Sequence, residues 1–279
     1  MDRTLSTTGT VLPPLRAECL PHQRISFVNG PTPDRRPAAD AAPRTRAPFT
    51  ATFQALPQPR HWLLLGALLC AAVVALGLAV QLPGDAAAEL GVDQGLSLHH
   101  AAVLSAVAMA INLVFGPVAG LLLIALASLC ILLFRRNLAG AAAFGITACS
   151  GWVASEVFKL MFARERPNPA LLFDPLAPET GSNSFPSGHV SFAVALAFAL
   201  YFLARGTRWA KVVAVAGAVM AVIVAWSRLY VGVHYPTDVI ASFLAGSAAA
   251  VLLAGLWNRF APRLLDRLPA AVTTLSSRH

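Results

Sequence analysis

Three short stretches of this chain hold residue types that can move a phosphoryl group. Lys159 precedes Arg166-Pro167 by seven residues; Pro186-Ser187-Gly188-His189 follows; Ser227-Arg228 then leads to His234 and Asp238. Cations neutralise phosphate oxygens, an imidazole can attack phosphorus or protonate a leaving oxygen, and a carboxylate can fix an imidazole's tautomer. All three stretches lie at the ends of apolar runs, which puts this chemistry at a membrane surface.

Each residue has a structural reading beside the chemical one. Lys159 and Arg166 are spaced by two helical turns, so both are expected on one face near the outer end of a helix that Pro167 stops. They could be snorkelling anchors. However, the chain has 19 Arg and only two Lys, and one lysine stands here, where an ammonium and a guanidinium together suit a phosphate clamp. Ser187 could cap a helix and Gly188 ease a turn, or their helix start could cradle an anion. His189 opens an apolar run, where an unpaired imidazole is costly, and is read as the acid for a departing oxygen. Asp238 could favour a helix N-terminus after Pro236, or accept the N–H of His234 and turn its other nitrogen to phosphorus. Ser227 is read as packing or as a hydrogen bond to the clamp. Arg164, Glu156 and Glu165 are read as local ion pairs or supports, and His99 and His100 as solvated.

The elements that must position these residues are membrane helices. Of 279 residues, 57% are hydrophobic and 12% charged, too few charges to cover a soluble domain of this size. The net charge of +8 flanks apolar runs and forms no stripe interleaved with aromatics, so nucleic acid is not an expected partner. Cys19, Cys70, Cys130 and Cys149 lack metal-ligand spacing and imply no disulfide framework. Residues 1–61, with 10 of the 20 prolines, are expected to be a disordered cytoplasmic tail, and the first apolar run begins only at Trp62. Six spans follow, at 62–82, 113–134, 138–162, 188–204, 210–228 and 237–257, each near the ~20 residues a crossing requires. Residues 85–112 are read as an outer loop with an interfacial helix. The expected domain runs over 62–258, with its core at 113–257 and a cytoplasmic tail at 259–279.

Six spans with both termini inside place 17 of the 21 Lys and Arg in cytoplasmic segments, as the positive-inside rule requires. Lys159, Arg164, Arg166 and Arg228 remain outside, on the face that also receives His189, His234 and Asp238. The expectation is an all-α bundle of six transmembrane helices, multi-pass in the plasma membrane, with its site at the outer face.

In these stretches the chain resembles the type 2 phosphatidic acid phosphatase superfamily over about residues 113–257. Its three signatures appear in order: Lys, six residues, Arg-Pro at 159–167; Pro-Ser-Gly-His at 186–189; and Ser-Arg, five residues, His, three residues, Asp at 227–238. That many fixed positions do not fall in order by chance. The resemblance implies that His234 attacks phosphorus and forms a phosphohistidine, that Asp238 orients it, and that His189 protonates the leaving group. It implies that Lys159, Arg166, Ser187, Gly188 and Arg228 stabilise the phosphoryl oxygens, with Pro167, Pro186 and Ser227 supporting, and that no metal or other cofactor is needed. The implied substrate is a membrane lipid phosphate: undecaprenyl diphosphate, phosphatidic acid or phosphatidylglycerol phosphate. The outer site favours the first, and loop 168–185, with Phe173, Asp174, Glu179 and Phe185, is expected to border the entrance. The alternatives are a lipid phosphotransferase using the same phosphohistidine, a vanadium haloperoxidase-like anion-binding protein, and a non-catalytic lipid-binding protein.

Overall fold

A computed structural model of the protein describes residues 55–177 and 179–265, so the expected tail lies, up to residue 54, outside the described residues. Among the described residues the chain is helical throughout: α1 (Trp62–Ala79), α2 (Asp85–Ser97), α3 (Ala102–Val114), α4 (Pro117–Arg135), α5 (Leu138–Phe162), α6 (Gly188–Ala204), α7 (Ala210–Val231) and α8 (Pro236–Leu265). A 3₁₀ turn at Pro169–Leu171 interrupts the long loop between α5 and α6. Five helices, α1, α4, α5, α7 and α8, are long and apolar enough to cross a membrane, and α6 is a shorter apolar helix of 17 residues.

The local chemistry of the helix ends accounts for these boundaries. The expected second span at 113–134 divides because Pro117, which lacks an N–H, takes the first helical position of α4 and holds Gly116 extended at ψ 163°. The apolar residues before that break form α3. Asn137 caps α5 by accepting the N–H of Gly140 at 2.9 Å. The other end of α5 agrees with the expected 162, but Pro167 is not what stops the helix. The helix stops at Phe162, where Ala163 turns left-handed at φ 44°, four residues before Pro167. Arg166 therefore sits in the following loop, not on the helix face of Lys159. Gly232, at φ 76°, ends α7, and Pro236 opens α8, which continues to Leu265 beyond the expected 257.

Helix α6 is the buried axis, packed on α5, α7 and α8, while α1 lies along α8. Its Phe192 stacks on Trp152 of α5 with ring centroids 4.0 Å apart and meets Phe115 at 5.7 Å. Leu63, Leu64 and Leu68 of α1, Leu121, Leu122 and Leu126 of α4 and Val212, Val215 and Val219 of α7 are exposed, the outward face expected of lipid contact. The helices approach through small residues. A Cβ built on Gly151 would lie 2.2 Å from the carbonyl oxygen of Ser191, and one on Gly246 2.8 Å from the same atom. These close approaches clamp α6 between α5 and α8 one half-turn past His189. They fix the three elements that carry Lys159, His189 and Asp238.

Candidate active site

The C-terminal ends of α5 and α7, the N-terminal ends of α6 and α8 and the α3–α4 junction meet at one end of the bundle, as antiparallel succession demands. They form a cavity of about 540 Å³ lined by Lys159, Arg166, Gly188, His189 and His234, with Asn112, Trp152, Glu156, Glu179, Asn183 and the apolar residues of the α3–α4 junction in the rest of the wall. Five of the sequence-designated residues thus face one space. Ser187, Arg228 and Asp238 stand immediately behind it, fully buried.

His234, in the four-residue turn between α7 and α8, is 1% exposed. Its Nδ1 lies 3.5 Å from Oδ2 of Asp238 and 3.4 Å from Oγ of Ser184. The Ser184 hydroxyl donates to the same Asp238 oxygen, which also accepts the backbone N–H of Tyr235 at 2.9 Å. Asp238 is in the third position of α8 and reaches back to the residue before the helix, so one carboxylate caps the helix and faces the imidazole. With Nδ1 turned to this network, Nε2 has no protein hydrogen-bond partner among the described residues. Burial pushes the His234 imidazole down to about 4; Asp238 pulls it up, and Arg166 and Arg228 push it down. The ring is neutral at pH 7.

The cations are held by partners that differ in kind. Nζ of Lys159 donates to Glu156 at 2.7 Å, and Arg166 donates to Asn183 at 2.8 Å, Glu179 at 2.7 Å and the Val233 carbonyl at 3.2 Å. Arg228 is wholly buried, with one guanidinium nitrogen 2.7 Å from Oδ1 of Asn112 and the other without a partner. Nε2 of His189 donates to the Asn112 carbonyl at 3.2 Å. Ser187 precedes α6 but makes no side-chain cap, and its buried hydroxyl has no partner. A buried guanidinium nitrogen and a buried hydroxyl left unsatisfied beside a cationic cavity are donors suited to an anion. A Cβ on Gly188 would stand 3.4 Å from Nζ of Lys159, in ordinary contact with it.

Of the supporting residues, Ser227 donates to the Val224 carbonyl at 2.7 Å and lies 3.5 Å from Nε of Arg228, while Pro167 and Pro186 are buried, the latter after a cis peptide bond. The loop divides in its roles. Glu179 lines the cavity, Phe173 is exposed, and Phe185 is buried edge-on against Phe162. His100 corrects the reading of a solvated pair: its side chain is 6% exposed, bonded to Asp174 at 2.9 Å and to the Tyr230 carbonyl at 2.7 Å. His99 is exposed. Arg164 is a support as expected, but a central one, its guanidinium 2.6 Å from Oδ1 of Asp238. Asn112 and Ser184 were not singled out by sequence. A lone polar residue in an apolar run was the only signal for Asn112, and Ser184 had none beyond its nearness to Pro186.

An apolar helical bundle of this kind is a membrane protein, with cations, imidazoles and a carboxylate gathered at one end. Residues 139–262 match the family model of the PAP2 superfamily, so the resemblance drawn from the three signatures is borne out. The chain is 32% identical over 120 residues to the undecaprenyl-diphosphatase BcrC of Bacillus subtilis, a match covering 43% of this chain and 57% of that protein. It is 36% identical over 121 residues to an undecaprenyl-diphosphatase of Sulfolobus acidocaldarius, covering 42% and 55%. Among solved structures, a transmembrane PAP2 type phosphatidylglycerolphosphate phosphatase from Bacillus subtilis superposes with a TM-score of 0.61 at 26% identity, over 70% of this chain and 96% of that one. The chain spans about half the length of the curated relatives it matches.

Proposed function

We propose that this protein is a membrane lipid phosphatase that cleaves a lipid phosphate or diphosphate through a phosphohistidine on His234. One observation carries the reading: a neutral His234 lines a cation-walled cavity while its Nδ1 is turned to Asp238 and Ser184. In this scheme Nε2 of His234 attacks phosphorus, the bond to the leaving oxygen breaks, and His189, acting as the imidazolium, gives its Nε2 proton to that oxygen and is left neutral. His189, now lacking that proton, takes one from a water molecule, which attacks the phosphohistidine and releases phosphate and free His234. Lys159, Arg166 and Arg228, with the Ser187 hydroxyl and the α6 N-terminus at Gly188, offset the charge on the phosphoryl oxygens.

The first substrate is a polyprenyl diphosphate of the undecaprenyl type. The names of the two sequence relatives support it, as does a site on the face left poor in other Lys and Arg, which the positive-inside rule makes the outer one. That orientation puts both termini in the cytoplasm. The test is release of inorganic phosphate by the purified full chain from undecaprenyl diphosphate, phosphatidic acid and phosphatidylglycerol phosphate. The expected outcome is turnover of at least one lipid, fastest for the diphosphate, and a loss of about a thousandfold or more in His234→Ala. Retention of wild-type rates in that variant would overturn the nucleophile.

A further inference from the structure

Helix α2 has no part in the three signatures and lies outside the 139–262 match, yet its inner face reaches the core of the site. Glu89 accepts from Arg164 at 3.0 Å, from the backbone N–H of Thr237 at 2.8 Å and from the Thr237 hydroxyl at 2.7 Å. The other terminal nitrogen of Arg164 donates to Asp238 at 2.6 Å and to the Thr237 hydroxyl at 2.7 Å, and the guanidinium lies 4.3 Å over the Tyr235 ring. The side chains of Arg164 and Glu89 are 5% and 13% exposed. An unbroken series of buried contacts therefore runs from α2 through Arg164 and Asp238 to Nδ1 of His234.

One turn along α2, Asp93 is wholly buried, and neither of its carboxyl oxygens has a hydrogen-bond partner. The charged and titratable groups around it are Glu89 on its own helix, Arg164 from the α5–α6 loop, Tyr235 from the α7–α8 turn and Asp238 from α8. Burial, then Asp238 and Glu89, push the Asp93 carboxyl up to about 8, with Arg164 opposing. Asp93 is protonated at neutral pH, so it does not compete as an anion for Arg164.

We propose that Glu89 is a positioning residue for the reaction, setting through Arg164 how strongly Asp238 acts on His234. The proposal rests on the phosphatase reading above. While Glu89 shares Arg164, the guanidinium does not spend its whole charge on Asp238, and that carboxylate keeps its pull on the Nδ1 proton. Without Glu89, more of the Arg164 charge falls on Asp238, and His234 becomes a weaker base and a poorer nucleophile. Glu89 also holds the first turn of α8 in place through the Thr237 N–H.

The experiment compares Glu89→Ala and Glu89→Gln with wild type in the full-length protein. It measures kcat and KM on the fastest lipid of the panel, and the His234 titration by nuclear magnetic resonance of histidine-labelled protein, assigned from the signal lost in His234→Ala. Glu89→Ala is expected to lower kcat about ten- to a hundredfold, the usual cost of losing a group that orients a reacting side chain, with KM changed less than about twofold. Glu89→Gln keeps an acceptor oxygen without the charge and is expected to lose less. In both variants the His234 titration moves to lower pH. Unchanged kcat in Glu89→Ala, or a kcat loss with an unmoved His234 titration, would overturn the proposal. If Glu89→Ala does not fold, the isosteric Glu89→Gln decides by the same two readouts. If the wild type turns over no lipid, the phosphatase reading falls, and the titration still decides whether Glu89 acts on His234.

Discussion

His234 gains its chemical character from burial and from its neighbours. An imidazole titrating near 4 keeps its lone pair through the physiological range, so protonation does not silence the proposed nucleophile until strongly acid pH. Protonation of His234 sets an acid limb: phosphate release is expected to fall as pH drops from about 5 towards 4, as a rate profile of the wild-type protein would show. The same group opposes folding in acid. The unfolded chain binds a proton near pH 6.5 that the folded chain refuses until about 4, so its contribution to stability is lost as pH falls through that window. At this scale the sequence was legible where spacing repeats a known signature: Lys159, Arg166, His189 and His234 all reach one cavity. It was silent on Ser184, 50 residues from its partner His234, and on Asn112, 116 residues from Arg228. Contacts at those separations come from packing, and no local pattern announces them.

Among the elements, the bounds of α6 agree with the expected 188–204, because a helix opened by Pro-Ser-Gly and closed before Arg205-Gly206 carries its own punctuation. The end of α5 agrees with the expected 162, but that Arg166 lies beyond the helix, off the face of Lys159, had no such mark. A left-handed alanine stops the helix, and alanine advertises nothing of the kind. The clamp on α6 through Gly151 and Gly246 also escapes a pattern reading, since a glycine in a helix says little until its neighbour is known. Gly151→Ala is expected to destabilise the bundle by about 1–3 kcal/mol and to lower the thermal midpoint, because its Cβ would meet backbone at 2.2 Å. Gly95→Ala in α2, with nothing within 4 Å, is the control. It is expected to be neutral or to stabilise by up to about 1 kcal/mol on helix propensity. Equal midpoints for the two variants would mean that α5 and α6 are not packed as described.

At the scale of the whole molecule, charge and hydropathy foresaw an all-helical membrane bundle, and the described helices carry outward faces of leucine and valine. The division of residues 102–135 into α3 and α4 was only half visible in Gly116-Pro117. The proposed sidedness rests on where Lys and Arg fall, and it is directly measurable. Glu165→Cys, in the exposed loop before α6, is expected to react with a membrane-impermeant thiol reagent in intact cells, and Thr207→Cys, between α6 and α7, only after permeabilisation. The reverse pattern would put the cavity on the cytoplasmic side and remove the argument for a lipid presented outside.

The most direct measurement is to quench the protein within a turnover of a lipid labelled in its phosphate and to locate the label by mass spectrometry under conditions that spare acid-labile bonds. The account predicts phosphate on the imidazole of His234 and none in His234→Ala. Turnover with the label on another residue, or with no label on protein at all, would contradict it.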